Sequence, residues 1–354
     1  MTFDNDDHND GVSRRRALER MIWAGSGVLW MASDVGLKSM GQIGSAQAAP
    51  AMAQAKATIP IIVKDKTSFY WQVVLAGARK AGHDLGVNVV ELGTDSETDI
   101  KGQMGILANA LASMPTAIVI APTEFAALSK SIDNAAKKVK IIGIDSDADS
   151  SAFTSVLRTD NVHAGSLAAD ILADAIKRSY ADAEGDVAII TSLSGAASLD
   201  QRARGFTGQV KTKYGALDIV AHKVGDGQAT TGYNMMMDLI ADYPELRGVF
   251  VSDPIAAKAA AQAVAEKKTN KGGDLINFVG FDSDNSLVQL LRDSTVSALV
   301  VQDPFRMGYD GIKTALAASK GERVPTTVDT GATVITKANI NSARSQELLN
   351  PKIN

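Results

Sequence analysis

The 354-residue chain contains no cysteine. Disulfides, thiolate metal sites and a cysteine nucleophile are therefore excluded. So is a lipid-modified N-terminal cysteine, and an exported form would be free rather than lipid-anchored. Histidine is nearly as scarce: His8, His83, His163 and His222 stand far apart, without the spacing of a metal site. A formal net charge of -4, with no basic block beyond the N-terminus, removes the electrostatic case for nucleic acid. No apolar run reaches the ~20 residues of a membrane-spanning helix. Glycines around 192–197 and 225–227 mark turns and form no phosphate-cradling motif.

What is present begins with an address. A polar, acidic start leads to Ser13-Arg14-Arg15-Arg16, then to the modest apolar run Met21–Ala32, then to the small-residue triplet Ala46-Gln47-Ala48. Charged region, apolar region and small-residue site in that order predict a secretory signal over residues 1–48, cleaved near Ala48, with 49–57 as linker. Ala53-Gln54-Ala55 offers a second cleavage site. Paired arginines before a weakly apolar, glycine-broken run match the twin-arginine type of signal.

Beyond Thr58 one stretch occurs twice. Ile142-Gly143-Ile144-Asp145-Ser146-Asp147 returns as Val279-Gly280-Phe281-Asp282-Ser283-Asp284. Each is a short apolar run ending in Asp, which predicts a buried parallel strand with a carboxylate past its C-terminal end. A second pair keeps step. Ala117–Pro122 leads into the helix-like Phe125–Leu128, and Gly248–Pro254 leads into Ile255–Lys258. The first half then predicts strands at Ile59–Val63, Val87–Leu92, Ala117–Ile120, Ile141–Asp145 and Phe153–Leu157, with helices at Tyr70–Leu85 and Ile100–Ser113. Arg158-Thr159-Asp160-Asn161 signals a capped helix to about Ala175. The second half predicts strands at Asp186–Thr191, Asp218–His222, Val249–Ser252, Ile276–Asp282 and Ala298–Gln302, with helices between them. A helix at Met307–Lys320 and one strand over Val328–Thr336 return to the first half. The fold class is α/β: two Rossmann-like lobes with parallel sheets, joined by a multi-strand hinge, with a ligand cleft at the strand C-terminal ends.

In this order and spacing the residues resemble a family. Ser68-Phe69-Tyr70-Trp71, Ile144-Asp145, Thr159-Asp160-Asn161, Gln201–Phe206, Ser252-Asp253, Gly280-Phe281-Asp282 and Val301-Gln302-Asp303 are similar to the periplasmic sugar-binding proteins of ABC transporters, of the ribose-binding type. The resemblance runs from about Ala57 to about Ala338 and implies the type I periplasmic binding protein fold. It also implies a first lobe of 57–160 with 303–331 and a second of 161–302 with 332–354. The implied ligand residues are Ser68, Tyr70 and Trp71, the first-lobe carboxylate Asp145, and Arg202, Asp253, Asp282 and Gln302 of the second lobe and hinge. Aromatic planes suit the C–H faces of a sugar, and carboxylates and Arg suit its hydroxyls. The implied partners are a small sugar or sugar alcohol and the membrane subunits of an ABC permease, with a chemoreceptor or sensor as a further possibility. The protein is expected to be periplasmic and monomeric, with no cofactor, metal, nucleic acid or catalysis.

The sequence departs from ribose binders at four positions. Gly227 aligns with a stacking aromatic of the second lobe, Ser146 with an arginine, Asp253 with an asparagine, and Ser68 with a residue that is often asparagine. The expected ligand is accordingly a pentose other than D-ribose, a deoxy sugar or a C4–C6 polyol. Simpler readings stand beside these. Asp145 and Asp282 could be helix N-caps. Tyr70 or Trp71 could be core, though adjacent helix positions point about 100° apart and only one can face the core fully. Arg204 and His163 read as surface, and Met235-Met236-Met237 as core packing. Among functions, a repressor on the same fold would need a helix-turn-helix where the signal stands. A glycosidase would use Asp145 and Asp282 as paired carboxylates. The alternative to a sugar importer component is a receptor for a non-sugar or furanosyl signal feeding chemotaxis or a sensor kinase.

Overall fold

A computed structural model describes residues 56–270 and 275–353. The expectations for the signal segment and its cleavage sites lie outside the described residues.

In chain order the first half carries β1 (Thr58–Val63), α1 (Phe69–Leu85), β2 (Asn88–Gly93), α2 (Ile100–Ala112), β3 (Ala117–Ile120), α3 (Ser129–Ala136), β4 (Lys140–Ile144) and β5 (Ser155–Arg158). The second carries α4 (Asn161–Tyr180), β6 (Gly185–Thr191), α5 (Ala197–Lys213), β7 (Leu217–Val224), α6 (Ala229–Asp242), β8 (Leu246–Val251), α7 (Pro254–Asn270), β9 (Asn277–Phe281), α8 (Asn285–Arg292) and β10 (Ala298–Gln302). Then follow α9 (Pro304–Ser319), β11 (Thr327–Asp329), β12 (Ala332–Ile335) and α10 (Ala343–Leu349). The described strands form two sheets, ordered β11-β5-β4-β3-β1-β2 and β12-β10-β9-β8-β6-β7. All pairings are parallel except β10 with β12. Helices cover both faces, so β3 and β9 are buried at every position and read as unbroken apolar runs rather than alternating ones.

In each half, two helices meet backbone to backbone through glycine. A Cβ at Gly77 of α1 would collide with Phe305 O of α9, and one at Gly308 with Val74 O. In the second half a Cβ at Gly165 of α4 would meet Arg202 O of α5, and one at Gly205 would meet Val162 O. These contacts seat α1 and α5, which carry walls of the cleft, firmly within their own halves.

The chain passes between the sheets three times, after β5, after β10 and between β11 and β12. The crossings brace one another: Thr330 N donates to Arg158 O (3.0 Å), Asp160 N to Asp329 Oδ1 (3.0 Å) and Thr159 Oγ1 to Gly331 O (3.1 Å).

Three details correct the sequence reading. The single strand expected over Val328–Thr336 is two: Thr330 and Gly331 (φ 80°) break it, and β12 joins the second sheet. Phe125–Leu128 is a turn that precedes α3 instead of starting a helix. Its backbone is engaged elsewhere, with Phe125 N donating to Gly195 O (3.1 Å) and Phe125 O accepting from Asp149 N (2.8 Å). Helix α10 went unpredicted, and it anchors on the second core through Leu348 and Leu349.

Candidate functional site

The C-terminal strand ends of both sheets face a cavity of about 280 Å³. Ser68, Tyr70, Trp71, Asp145, Arg202, Asp253, Asp282 and Gln302 all line it. That volume falls just below the ~300–1,000 Å³ typical of small-molecule sites, as suits a small ligand.

The first wall is built on Asp145, which follows β4 in the left-handed region (φ 65°), its N–H donating to Leu157 O at 2.9 Å. This turn aims the carboxylate away from the sheet and toward three donors. Lys64 Nζ lies 2.8 Å from Oδ2, Ser146 Oγ donates to Oδ2 at 2.8 Å, and Tyr70 OH donates to Oδ1 at 2.8 Å. Burial by itself would raise the Asp145 pKa, but the Lys64 ammonium, together with the charge of Arg202 and the Ser146 hydroxyl, outweighs it and holds the carboxyl below its ordinary value. Burial, followed by the charge of Asp145, pushes the Tyr70 phenol well above its usual value, so it serves as a neutral donor. Trp71 is fully buried in the first core and meets Tyr70 edge-on, with centroids 4.9 Å apart. Its Nε1 donates to Glu97 Oε1 at 2.6 Å.

The second wall repeats the geometry with different chemistry. Asp282 follows β9 with φ 60°, and its N–H donates to Val300 O at 2.8 Å. Its carboxylate accepts from Gln302 N (3.1 Å) and Gln302 Nε2 (2.8 Å). Burial pushes the Asp282 pKa up to about 6, because the charge of Arg202 offsets that burial only in part. Arg202 is held elsewhere: Nε donates to Asn161 Oδ1 (2.8 Å), one terminal nitrogen donates to Ser252 O (2.9 Å), and the guanidinium stacks 3.7 Å from the Phe281 ring centroid. Arg202 is thus held by an amide, a carbonyl and an aromatic face while its charge still acts on Asp282.

Asp253 behaves differently again. Its two oxygens accept from Ala256 N (3.0 Å) and Ser192 N (3.1 Å), tying the first turn of α7 to the loop after β6. The capping role weighed for Asp145 and Asp282 thus falls on Asp253, and Asp284 caps α8 through Leu287 N (2.7 Å).

The walls touch at the rim. The Ser146 and Ser198 hydroxyl oxygens lie within hydrogen-bond distance (3.1 Å), and Gln201 Nε2 donates to Asp147 Oδ2 (3.0 Å). Two cavity-lining residues carry buried polar atoms with no hydrogen-bond partner among the described residues, Ser68 Oγ and Gln302 Oε1.

Residues 59–323 match the family model described as a periplasmic binding protein domain. The chain belongs to the periplasmic binding protein family. It is a ribose-binding-like, type I member, similar to sugar-binding solute-binding proteins of ABC transporters. A carbohydrate transporter solute binding protein from Agrobacterium radiobacter, solved in complex with D-arabinose, is 58% identical, with a TM-score of 0.81 over 84% of this chain and 100% of that one. An ABC transporter solute binding protein from Agrobacterium vitis with bound D-fucose is 30% identical, with a TM-score of 0.76 over 83% of this chain and 100% of that one. The ribose import binding protein RbsB of Bacillus subtilis (strain 168) is 25% identical over 272 residues, 77% of this chain and 84% of the relative.

Several wall residues of this periplasmic binding protein escaped the sequence reading. Lys64 carries no mark in the sequence reading, yet it supplies the cation beside Asp145. The available signal was a charge directly after the apolar run Ile59–Val63, the same strand-end position that singled out the two Asp residues. Asn161 was read only as part of a capping signal, although it also orients Arg202. Glu97 and Ser198 lie on a loop and a helix start with no local pattern to mark them, and only the tertiary fold brings them to the cavity.

Proposed function

We propose that this periplasmic binding protein captures a small sugar or sugar alcohol between its lobes and hands it to an ABC importer without transforming it. The observation that carries the reading is the cavity of about 280 Å³ to which both lobes contribute charged and polar side chains. In the proposed assignment the lobes comprise 57–160 with 303–331 and 161–302 with 332–354. Asp145, Asp282 and Asp253 accept hydroxyls, Arg202 donates, and Tyr70 and the edge of Trp71 cover a C–H face. Ser68 Oγ and Gln302 Oε1 support this assignment: a buried polar atom left unpaired costs about 1–3 kcal/mol, and a ligand hydroxyl would relieve it. Closure follows if the ligand binds the two walls together better than either alone, since a ligand shifts an equilibrium only by its differential affinity. The relative that carries D-arabinose puts aldopentoses first among ligands. Export by the N-terminal signal, residence in the periplasm as a monomer, and docking on permease subunits complete the proposal.

A thermal-shift screen against D-arabinose, D-ribose, D-fucose and C4–C6 polyols tests it. A sugar at a hundredfold excess over Kd should add about 2.7 kcal/mol of stability. No shift with any sugar or polyol, from a folded protein, would turn the reading toward a non-sugar signal.

A further inference from the structure

The loop between β2 and α2 contributes Glu97 to the cavity wall. It is fastened to the first lobe, with Lys66 N donating to Thr94 O (3.0 Å), Thr94 Oγ1 donating to Lys64 O, and Asp99 capping α2 through Gly102 N (2.9 Å). At its outer edge it reaches the second lobe, where a Cβ on Gly227 would stand 3.0 Å from Thr98 Cγ2. Between these two anchors Glu97 lines the cavity. Oε1 of Glu97 is fixed by the indole N–H of Trp71 at 2.6 Å, and Trp71 is itself locked in the core. Among the described residues no cation lies within ion-pair distance of Glu97, because the nearby Lys64 ammonium is committed to Asp145 and Ser146. Burial raises the Glu97 pKa, Lys64 opposes that rise, and the charges of Asp145 and Asp253 add to it.

We infer that Glu97 is a specificity-determining ligand contact: with Oε1 held by Trp71, Oε2 accepts one particular hydroxyl of the bound molecule. The inference rests on the sugar-binding reading and goes beyond it by naming what the ligand must present at this wall. An ionised carboxylate accepts hydrogen bonds and cannot donate them. A ligand with a hydroxyl there satisfies Oε2. A deoxy analogue leaves a desolvated carboxylate oxygen without a donor and is rejected, since sites built to bond a hydroxyl discriminate strongly against its loss. The anchored indole also makes the geometry preorganised, so little side-chain freedom is lost on binding.

The test is isothermal titration of the wild type and Glu97→Gln with D-arabinose, D-ribose, D-fucose and the monodeoxy forms of whichever binds best. Gln keeps the size and the acceptor for the Trp71 indole while turning the other arm into an amide donor. The expected result is a loss of roughly tenfold or more for the best sugar, while one monodeoxy form binds both proteins alike. Trp71→Phe separates contact from support: it removes the indole N–H and leaves the carboxylate in place. Equal affinities of wild type and Glu97→Gln for every sugar would overturn the inference. So would a loss seen only in Trp71→Phe, which would make Glu97 a prop for the indole. A wild type that binds no sugar at all would instead remove the sugar reading on which the inference stands.

Discussion

Asp145 and Asp282 end near-identical sequence repeats, adopt the same left-handed backbone and donate their N–H to the equivalent neighbouring strand. Their charges are nonetheless treated in opposite ways. Asp145 sits against an ammonium and two hydroxyls and is held ionised. Asp282 has two N–H donors from Gln302 and the charge of Arg202, which offset its burial only in part, and it is raised to about 6. Backbone geometry is thus repeated by the fold, whereas the electrostatic state is written by residues far away in sequence: Lys64 lies on β1's end, and Arg202 is turned aside by Asn161.

The contrast can be broken most forcefully at Lys64. Lys64→Met strips the cation from a buried pair and should destabilise the protein by about 3–5 kcal/mol, measured by urea denaturation at pH 7. A loss under 1 kcal/mol would mean that Tyr70 and Ser146 alone suffice for Asp145.

Asp282→Asn sharpens the contrast through pH. The folded pKa of Asp282 is raised to about 6, so the folded state binds that proton more tightly than the unfolded chain. Its stabilising effect is full below the unfolded value and is lost as pH rises through about 6. Asp145 has the opposite sign, its contribution being present above the unfolded value and lost as pH falls through its lowered folded pKa. Relative to wild type, Asp282→Asn should therefore gain stability between about pH 4 and 6 and plateau above that, by up to roughly 3 kcal/mol. Its sugar affinity should fall at the same time. A stability difference that stays flat across this range would show that Asp282 titrates normally.

The mildest change is Ser146→Ala, which removes one donor to Asp145 and the rim bond to Ser198. It should cost about 1 kcal/mol, read as a small drop in melting temperature.

The two Asp-ended strands were legible because buried parallel strands produce uninterrupted apolar runs, and a charge at the end of such a run has few bland explanations. Helix limits read well where a cap was local: Asp160 caps α4 through His163 N (3.0 Å), and Gly86 closes α1 in the left-handed region. What failed was whatever depended on contacts remote in sequence. Phe125–Leu128 looked helical and is a turn, with the Phe125 carbonyl that a helix would use accepting from Asp149 N instead. The strand over Val328–Thr336 had the right composition but changes sheets at Gly331. Trp71 was weighed as either core or pocket and is both, with its ring in the core and the residue on the cavity wall.

The glycine contacts between α1 and α9, and between α4 and α5, separate chassis from tooling. With no side chain between the paired backbones, each helix pair has little room to shear. The chemistry, by contrast, sits on strand tips, a helix start and the loop bearing Glu97. A substitution at one of those tips alters the cavity wall and leaves the helix contacts untouched. A replacement at Gly77 or Gly205 would be felt by every cargo alike.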